Sequence, residues 1–356
     1  MSSMNSGLAV RRRGSATTHD PALDGLRGLA AMAVVFSHAS NANMGVIYAV
    51  PLGGLGRVAV WLFFVLSAFL LTRQALVALR AGDYLTWLRS YAARRFLRIY
   101  PLLCVALTLD LVLGRISPQD TFRTVLFGHA PGIYWSVPPE VIFYFVIPAV
   151  AWLAYRSPVA GSLLLIALAT YGETVPFALH FWPLVSTFVV GSFAALLLEW
   201  RPDVAKKISY GWPVVFLITP FVLEASISAW APSLAARRPW DWNLSLGMAW
   251  VPVVFACVFN LRPAAWLAAR PLHFLGAVSF GTYLLHPVII SGAASAGLAG
   301  RAWAGPVILP AVIVAAWLGH IVIEKPALRA ADWFQPRTRR VHVKADTPPD
   351  HREVIV

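Results

Sequence analysis

Apolar runs of close to twenty residues recur along this chain, separated by short polar turns, and that is the length an α-helix needs to cross a bilayer. The pattern predicts helices near residues 23–42, 54–72, 99–114, 134–154, 158–175, 183–199, 211–230, 244–261, 273–292 and 305–323. The expected fold is therefore an all-α integral membrane bundle of about ten transmembrane helices. Residues 21–326 form the expected membrane domain, between a polar N-terminus (1–20) and a basic tail (327–356), both expected to be mostly disordered.

Composition strengthens this picture. Only 13% of the residues are charged and 58% are hydrophobic, against about 25% charged in a soluble domain. The 26 prolines and 24 glycines do not argue against helices, because membrane bundles satisfy the backbone groups that such residues free. Absence of an internal repeat weighs against a transporter of inverted halves. Arg11, Arg12 and Arg13 precede an apolar stretch without a clear cleavage site, so the first helix is expected to be retained.

The formal charge of +13 is accounted for by orientation. With a cytoplasmic N-terminus and alternating helices, 23 of the 29 Lys and Arg residues fall on the inner side, which places both termini in the cytoplasm. No polar segment is long enough for a basic nucleic-acid-binding domain. Cys104 and Cys257 sit in apolar segments and are expected to be reduced packing residues, and neither a disulfide framework nor a metal cluster is visible.

Several ionisable residues fall inside this apolar frame, where they are costly and by default point to function. Arg27 and His38 lie eleven apart in the first helix, within roughly 20° of one face and about 16 Å apart along the axis. Arg95 and Arg98 share a helical face at the expected cytoplasmic start of the third helix, and their guanidinium forks suit phosphate oxygens such as those of CoA. Glu140, near the outer end of the fourth helix, matches His38 in depth, so the expectation is a base oriented by an acid. His286, before Pro287, is a candidate to line the cavity, and Glu324 a candidate partner for an arginine at its mouth. Asp24, Asp110 and Glu224 read as polar contacts of the bundle.

Taken in order, these stretches resemble the acyltransferase 3 family, membrane O-acyltransferases that modify bacterial surface sugars, peptidoglycan and some macrolides. The resemblance rests on Arg27…His38, Phe63-Phe-Val-Leu-Ser-Ala-Phe-Leu-Leu-Thr72, the Arg95/Arg98 segment, Trp135-Ser…Glu140…Phe143-Tyr144, Gly281-Thr-Tyr-Leu-Leu-His286-Pro287 and Glu324-Lys-Pro326. Two departures stand out. Ala68 takes the place of the family's usual glycine, and Val137-Pro138-Pro139 replaces a leucine-rich spacer before the glutamate.

The resemblance implies a ten-helix fold, an acyl-CoA co-substrate (acetyl-CoA first), no bound cofactor or metal, and a histidine at position 38 needed for transfer. It also implies roles for Arg27, Arg95 and Arg98. The expected site has His38 and Glu140 as catalytic residues and Arg27, Arg95 and Arg98 on the acyl-CoA phosphates. Ser67, Trp135, Tyr144, Tyr283 and His286 are its candidate cavity-lining residues. The expected acceptor is a hydroxylated sugar, a glycolipid or a glycosylated small molecule, and the expected place is the bacterial inner membrane, with the lipid bilayer as partner and no nucleic acid. No hydrolase-like domain is expected to follow the last helix. The alternative is a secondary transporter or flippase using buried His, Glu and Arg.

Overall fold

A computed structural model describes residues 20–44, 55–128, 130–174, 184–211, 243–301 and 303–334. Among these residues every regular element is helical. The α-helices are α1 (Pro21–Asn41), α2 (Leu55–Ala81), α3 (Tyr84–Val112), α4 (Pro118–Val125), α5 (Val137–Arg156), α6 (Pro158–Thr174) and α7 (Val185–Trp200). They continue with α8 (Pro202–Ser209), α9 (Asn243–Val258), α10 (Arg270–Ala277), α11 (Ser279–Ser295), α12 (Ala304–Gly319) and α13 (Lys325–Ala331). Short 3-10 turns cover Gly132–Ser136, Arg262–Ala268 and Asp332–Phe334, and a π-turn covers His320–Glu324.

Local chemistry explains how α1 starts and what it can pack against. Asp20 caps it by accepting a hydrogen bond from the Ala22 amide at 3.0 Å, and Pro21 occupies the first turn, where no amide hydrogen is needed. Its small residues then let other chain segments reach its backbone. A Cβ at Gly25 would fall 1.8 Å from the Leu267 carbonyl oxygen, and one at Gly276 of α10 would fall 2.0 Å from that of Asp24. Backbone-to-backbone contact of this kind is how membrane helices associate where no hydrophobic drive acts between them.

α2 is the centre of the bundle, burying Trp61, Phe64 and Phe69 completely or nearly so. It lies against α7, where a Cβ at Gly191 would come within 2.3 Å of the Val65 carbonyl and 2.8 Å of the Ala68 methyl. The methyl that replaces the family's usual glycine is therefore accommodated from the opposite helix.

A third feature ties α3 to α5. Pro148 of α5 has no amide hydrogen to give the Tyr144 carbonyl four residues earlier. That carbonyl accepts instead from the Tyr91 hydroxyl of α3 at 2.9 Å, and Tyr84 donates to the Pro148 carbonyl at 2.7 Å.

Among the described residues three helical stretches are long and apolar enough to cross a membrane, Leu55–Ala81, Gly132–Arg156 and Ala304–Ala331. A fourth is added if α10 and α11, bent by 71°, count as one span. Large apolar side chains such as Phe145, Leu163 and Val314 point outward, as they do on surfaces that meet lipid. Three or four spans fall short of the expected ten. α6, α7 and the apolar part of α9 are shorter than a full crossing, and α1 and α3 interrupt their apolar runs with ionisable residues such as Arg27 and Arg98. The expected helix over 211–230, with Glu224, lies almost wholly outside the described residues.

Four further expectations change. The second helix runs on to Ala81 and the third begins at Tyr84, so Arg95 and Arg98 lie well inside a helix instead of at its start. The apolar run from Ile99 suggested that start, but the basic stretch before it is helical as well. The ninth expected helix is broken at Val278. Residues 325–334 are helical and bound to α3 by an Arg94–Asp332 ion pair of 2.8 Å, so the fold continues past residue 326. Cys257 is buried in the core as expected, whereas Cys104 faces outward.

Candidate functional site

Five helices surround a cavity of about 240 Å³ that holds most of the residues singled out from the sequence. α1 contributes Arg27, α2 Ser67 and Gln74, α3 Arg95 and Arg98, α5 Glu140 and Tyr144, and α11 Tyr283. Residues more than two hundred positions apart thus share one chamber, with guanidinium groups on two walls.

The arginines differ in what they touch. Arg27 is ion-paired with Asp24 at 3.2 Å, and Asp24 also lies 3.6 Å from Nε2 of His273. Arg95 and Arg98 make no hydrogen bond or ion pair to any described residue. Arg95 lies over the Tyr144 ring, 5.8 Å from its centroid, and its Nε is buried without a partner. A buried guanidinium nitrogen left unpaired is costly, and two unpaired forks on one chamber suit an anion that arrives from outside.

Glu140 stands in the first turn of α5, directly after Pro138 and Pro139. Prolines are tolerated at that point because first-turn amides have no partner within the helix. The unusual spacer therefore leaves Glu140 on a regular helix. Its Oε1 accepts from the Tyr144 hydroxyl at 2.5 Å and from the Ser67 hydroxyl at 3.2 Å.

His38 is not Glu140's partner, which corrects the expected acid–base pair. Equal depth in the membrane says nothing about azimuth: Glu140 faces α2, whereas His38 faces α11. His38 Nδ1 lies 3.2 Å from Nε2 of His286, and the two rings are 4.9 Å apart. His286 is fully buried and does not line the cavity, and neither does His38. Tyr283, which lines the chamber, has its ring 5.9 Å from that of His286. Tyr283 is itself held by hydrogen bonds of 2.7 Å to Ser136 and to the Ile133 carbonyl.

Two other assignments move. Trp135 packs edge-on against Phe64 in the core rather than lining the chamber. Glu324 meets no arginine among the described residues. It is buried on the π-turn and accepts from His320 Nδ1 at 3.0 Å.

A model of the acyltransferase 3 family, described as an acyltransferase domain, matches residues 20–323, nearly the whole chain. The chain belongs to the acyltransferase 3 family. Neither a curated protein nor a solved structure gives a significant match. Membership of the acyltransferase 3 family, together with the apolar helices, makes this chain a membrane acyltransferase. In this family member the His38–His286 contact was the relationship missed from sequence. The signal was two histidines in apolar helices, each followed within a turn or two by small or kinking residues, but nothing in their spacing pairs positions 248 apart.

Proposed function

We propose that this chain is an O-acyltransferase of the bacterial cytoplasmic membrane that moves an acyl group, acetyl in the first instance, from acyl-CoA to a hydroxyl of a sugar or glycosylated acceptor. The observation that carries this reading is the pair of unpartnered guanidinium groups, Arg95 and Arg98, on the same chamber as Arg27. In this reading the CoA phosphates bind those forks from the cytoplasmic side and both termini face the cytoplasm. The pantetheine arm extends along α1 toward His38, about 16 Å further along the helix axis. In this reading Tyr283, which lines the chamber while the histidines do not, gives way for that arm to reach them.

His38 is the general base. As its Nε2 takes the hydroxyl proton, the hydroxyl oxygen attacks the thioester carbonyl. The tetrahedral intermediate collapses with loss of the CoA thiolate, which recovers the proton from the imidazolium.

The test is release of CoA thiol from acetyl-CoA by the purified chain in detergent micelles, against a panel of hydroxylated sugars. Micelles hold no gradient, so a transporter or flippase gives no thiol. His38→Ala should lower turnover by about 10²–10⁴-fold, the usual worth of a general base. Arg95→Gln with Arg98→Gln should raise KM for acetyl-CoA by at least roughly tenfold, from the loss of charge-assisted hydrogen bonds, and leave KM for the acceptor close to its original value. Near-wild-type transfer by His38→Ala, or equal effects on both substrates, would overturn the assignment.

A further inference from the structure

The two histidines form a chain of contacts in which the position of each hydrogen can be worked out. Nδ1 of His286 lies 3.1 Å from the Thr282 carbonyl oxygen. A carbonyl only accepts, so this nitrogen carries its hydrogen, and in a neutral ring Nε2 then holds a lone pair. Nδ1 of His38 lies 3.0 Å from the Val34 carbonyl and 3.2 Å from that lone pair. Both neighbours are acceptors, so Nδ1 of His38 must be the donor, shared between them. Its Nε2 is left bare, and this atom has no hydrogen-bond partner among the described residues.

We propose that His286 is a positioning residue: it holds His38 in the Nδ1–H form, so that Nε2 is the atom that accepts the hydroxyl proton. The inference rests on the function proposed above and assigns to a neutral imidazole the orienting task that the sequence suggested for Glu140. Glu140 is engaged elsewhere, by Tyr144 and Ser67. When His38 becomes an imidazolium, its Nδ1–H donates to the lone pair of His286, a charge-assisted bond in a site where His286 is fully buried. Backbone contacts set the geometry, because each ring is tied to a carbonyl four residues earlier on its own helix.

The experiment measures imidazole tautomers by ¹⁵N NMR in the full-length chain, labelled at histidine and reconstituted in lipid nanodiscs. The His38 signals are assigned by their loss in His38→Asn. Wild-type His38 should show a protonated Nδ1 and a bare Nε2. His286→Phe keeps the ring's bulk but removes one of the two acceptors of Nδ1–H, and should raise the share of His38 in the Nε2–H form, while the Val34 carbonyl still holds part of the Nδ1–H population. His286→Gln offers an amide oxygen near the former Nε2 and should retain Nδ1–H.

Thiol release from acetyl-CoA is then compared. His286→Phe should lower kcat by roughly ten- to a hundredfold, the range found when a metal-bound histidine loses the group that orients it. KM for acetyl-CoA should stay unchanged, and His286→Gln should recover most of the loss. A hydrogen on Nε2 of wild-type His38 would overturn the proposal, as would an unchanged tautomer or unchanged turnover in His286→Phe. If that variant does not fold, the wild-type spectrum and His286→Gln still decide. If wild-type releases no thiol, the proposed function fails, and the spectrum reports on the histidine pair independently.

Discussion

The Tyr144 hydroxyl lies 2.5 Å from Oε1 of Glu140, one turn earlier on α5, and the Tyr144 ring lies under the guanidinium of Arg95. A carboxylate therefore fixes the ring on which an unpaired cation rests. Glu140 is thus linked to the anion-facing wall of the chamber, although the sequence suggested a link to the base.

Tyr144→Phe should accordingly affect the donor more than the chemistry. Loss of one hydrogen bond, about 1 kcal/mol, frees the ring and should raise KM for acetyl-CoA roughly fivefold. The expected change in kcat is under twofold. Steady-state kinetics on acetyl-CoA check this; a fall in kcat with KM unchanged would put Glu140 and Tyr144 at the reacting atoms instead.

The packing of α1 predicts a contrast between two glycines. Gly276→Ala drives a methyl to within 2.0 Å of the Asp24 carbonyl, a backbone atom that cannot swing aside. It should destabilise the bundle by at least about 2 kcal/mol, as overpacking typically does, and displace the start of α1 that carries Arg27. Gly82→Ala meets open space and carries only the cost of its φ of +76°, about 1 kcal/mol. Thermal unfolding in detergent should order them wild type, Gly82→Ala, Gly276→Ala.

What the sequence revealed and what it hid follow from the range of each interaction. The Arg27–His38 spacing was legible because helix geometry converts eleven residues into a rise and an angle. The family pattern was legible for a similar reason, since its motifs are local. Azimuth between helices is set by packing, as at Gly25 and Gly276, and no local pattern carries it. Hence Glu140 and His38 were matched in depth but proved to face different neighbours. The extent of α3 was obscured because its first half is polar and basic, so the apolar run marks only its second half.

A second polar cluster holds the segment that leads into α5. Asp110 of α3 is buried and accepts from Tyr134 at 2.8 Å and from Arg115 at 3.3 Å, while Arg115 also donates to the Val288 carbonyl of α11 at 3.1 Å. Asp110→Ala leaves the Tyr134 hydroxyl unpaired and a partly buried guanidinium without its carboxylate, held only by the Val288 carbonyl. The expected cost is about 2–3 kcal/mol, in the range for buried groups that lose a charged partner. Tyr134→Phe should cost only about 1 kcal/mol. Equal destabilisation by the two in denaturation experiments would mean that the Arg115 contact contributes nothing.

The pairing of Tyr91 with the Tyr144 carbonyl permits the sharpest test, because the cause of the vacancy is known. Pro148 deprives that carbonyl of its helical partner, and Tyr91 supplies the replacement at 2.9 Å. Tyr91→Phe alone should leave a buried carbonyl unsatisfied and cost about 1–3 kcal/mol. Pro148→Ala restores an amide hydrogen, so the helix can satisfy the carbonyl itself. In the Pro148→Ala background the same tyrosine substitution should therefore cost less, and the double-mutant cycle should give a coupling of about 1 kcal/mol between residues 91 and 148. Additive effects would show that the tyrosine contributes through ring packing against Trp87 and Tyr144, with which it is in contact. α3 would then be held to α5 by shape alone, and the Arg95 wall of the chamber would tolerate loss of the hydroxyl.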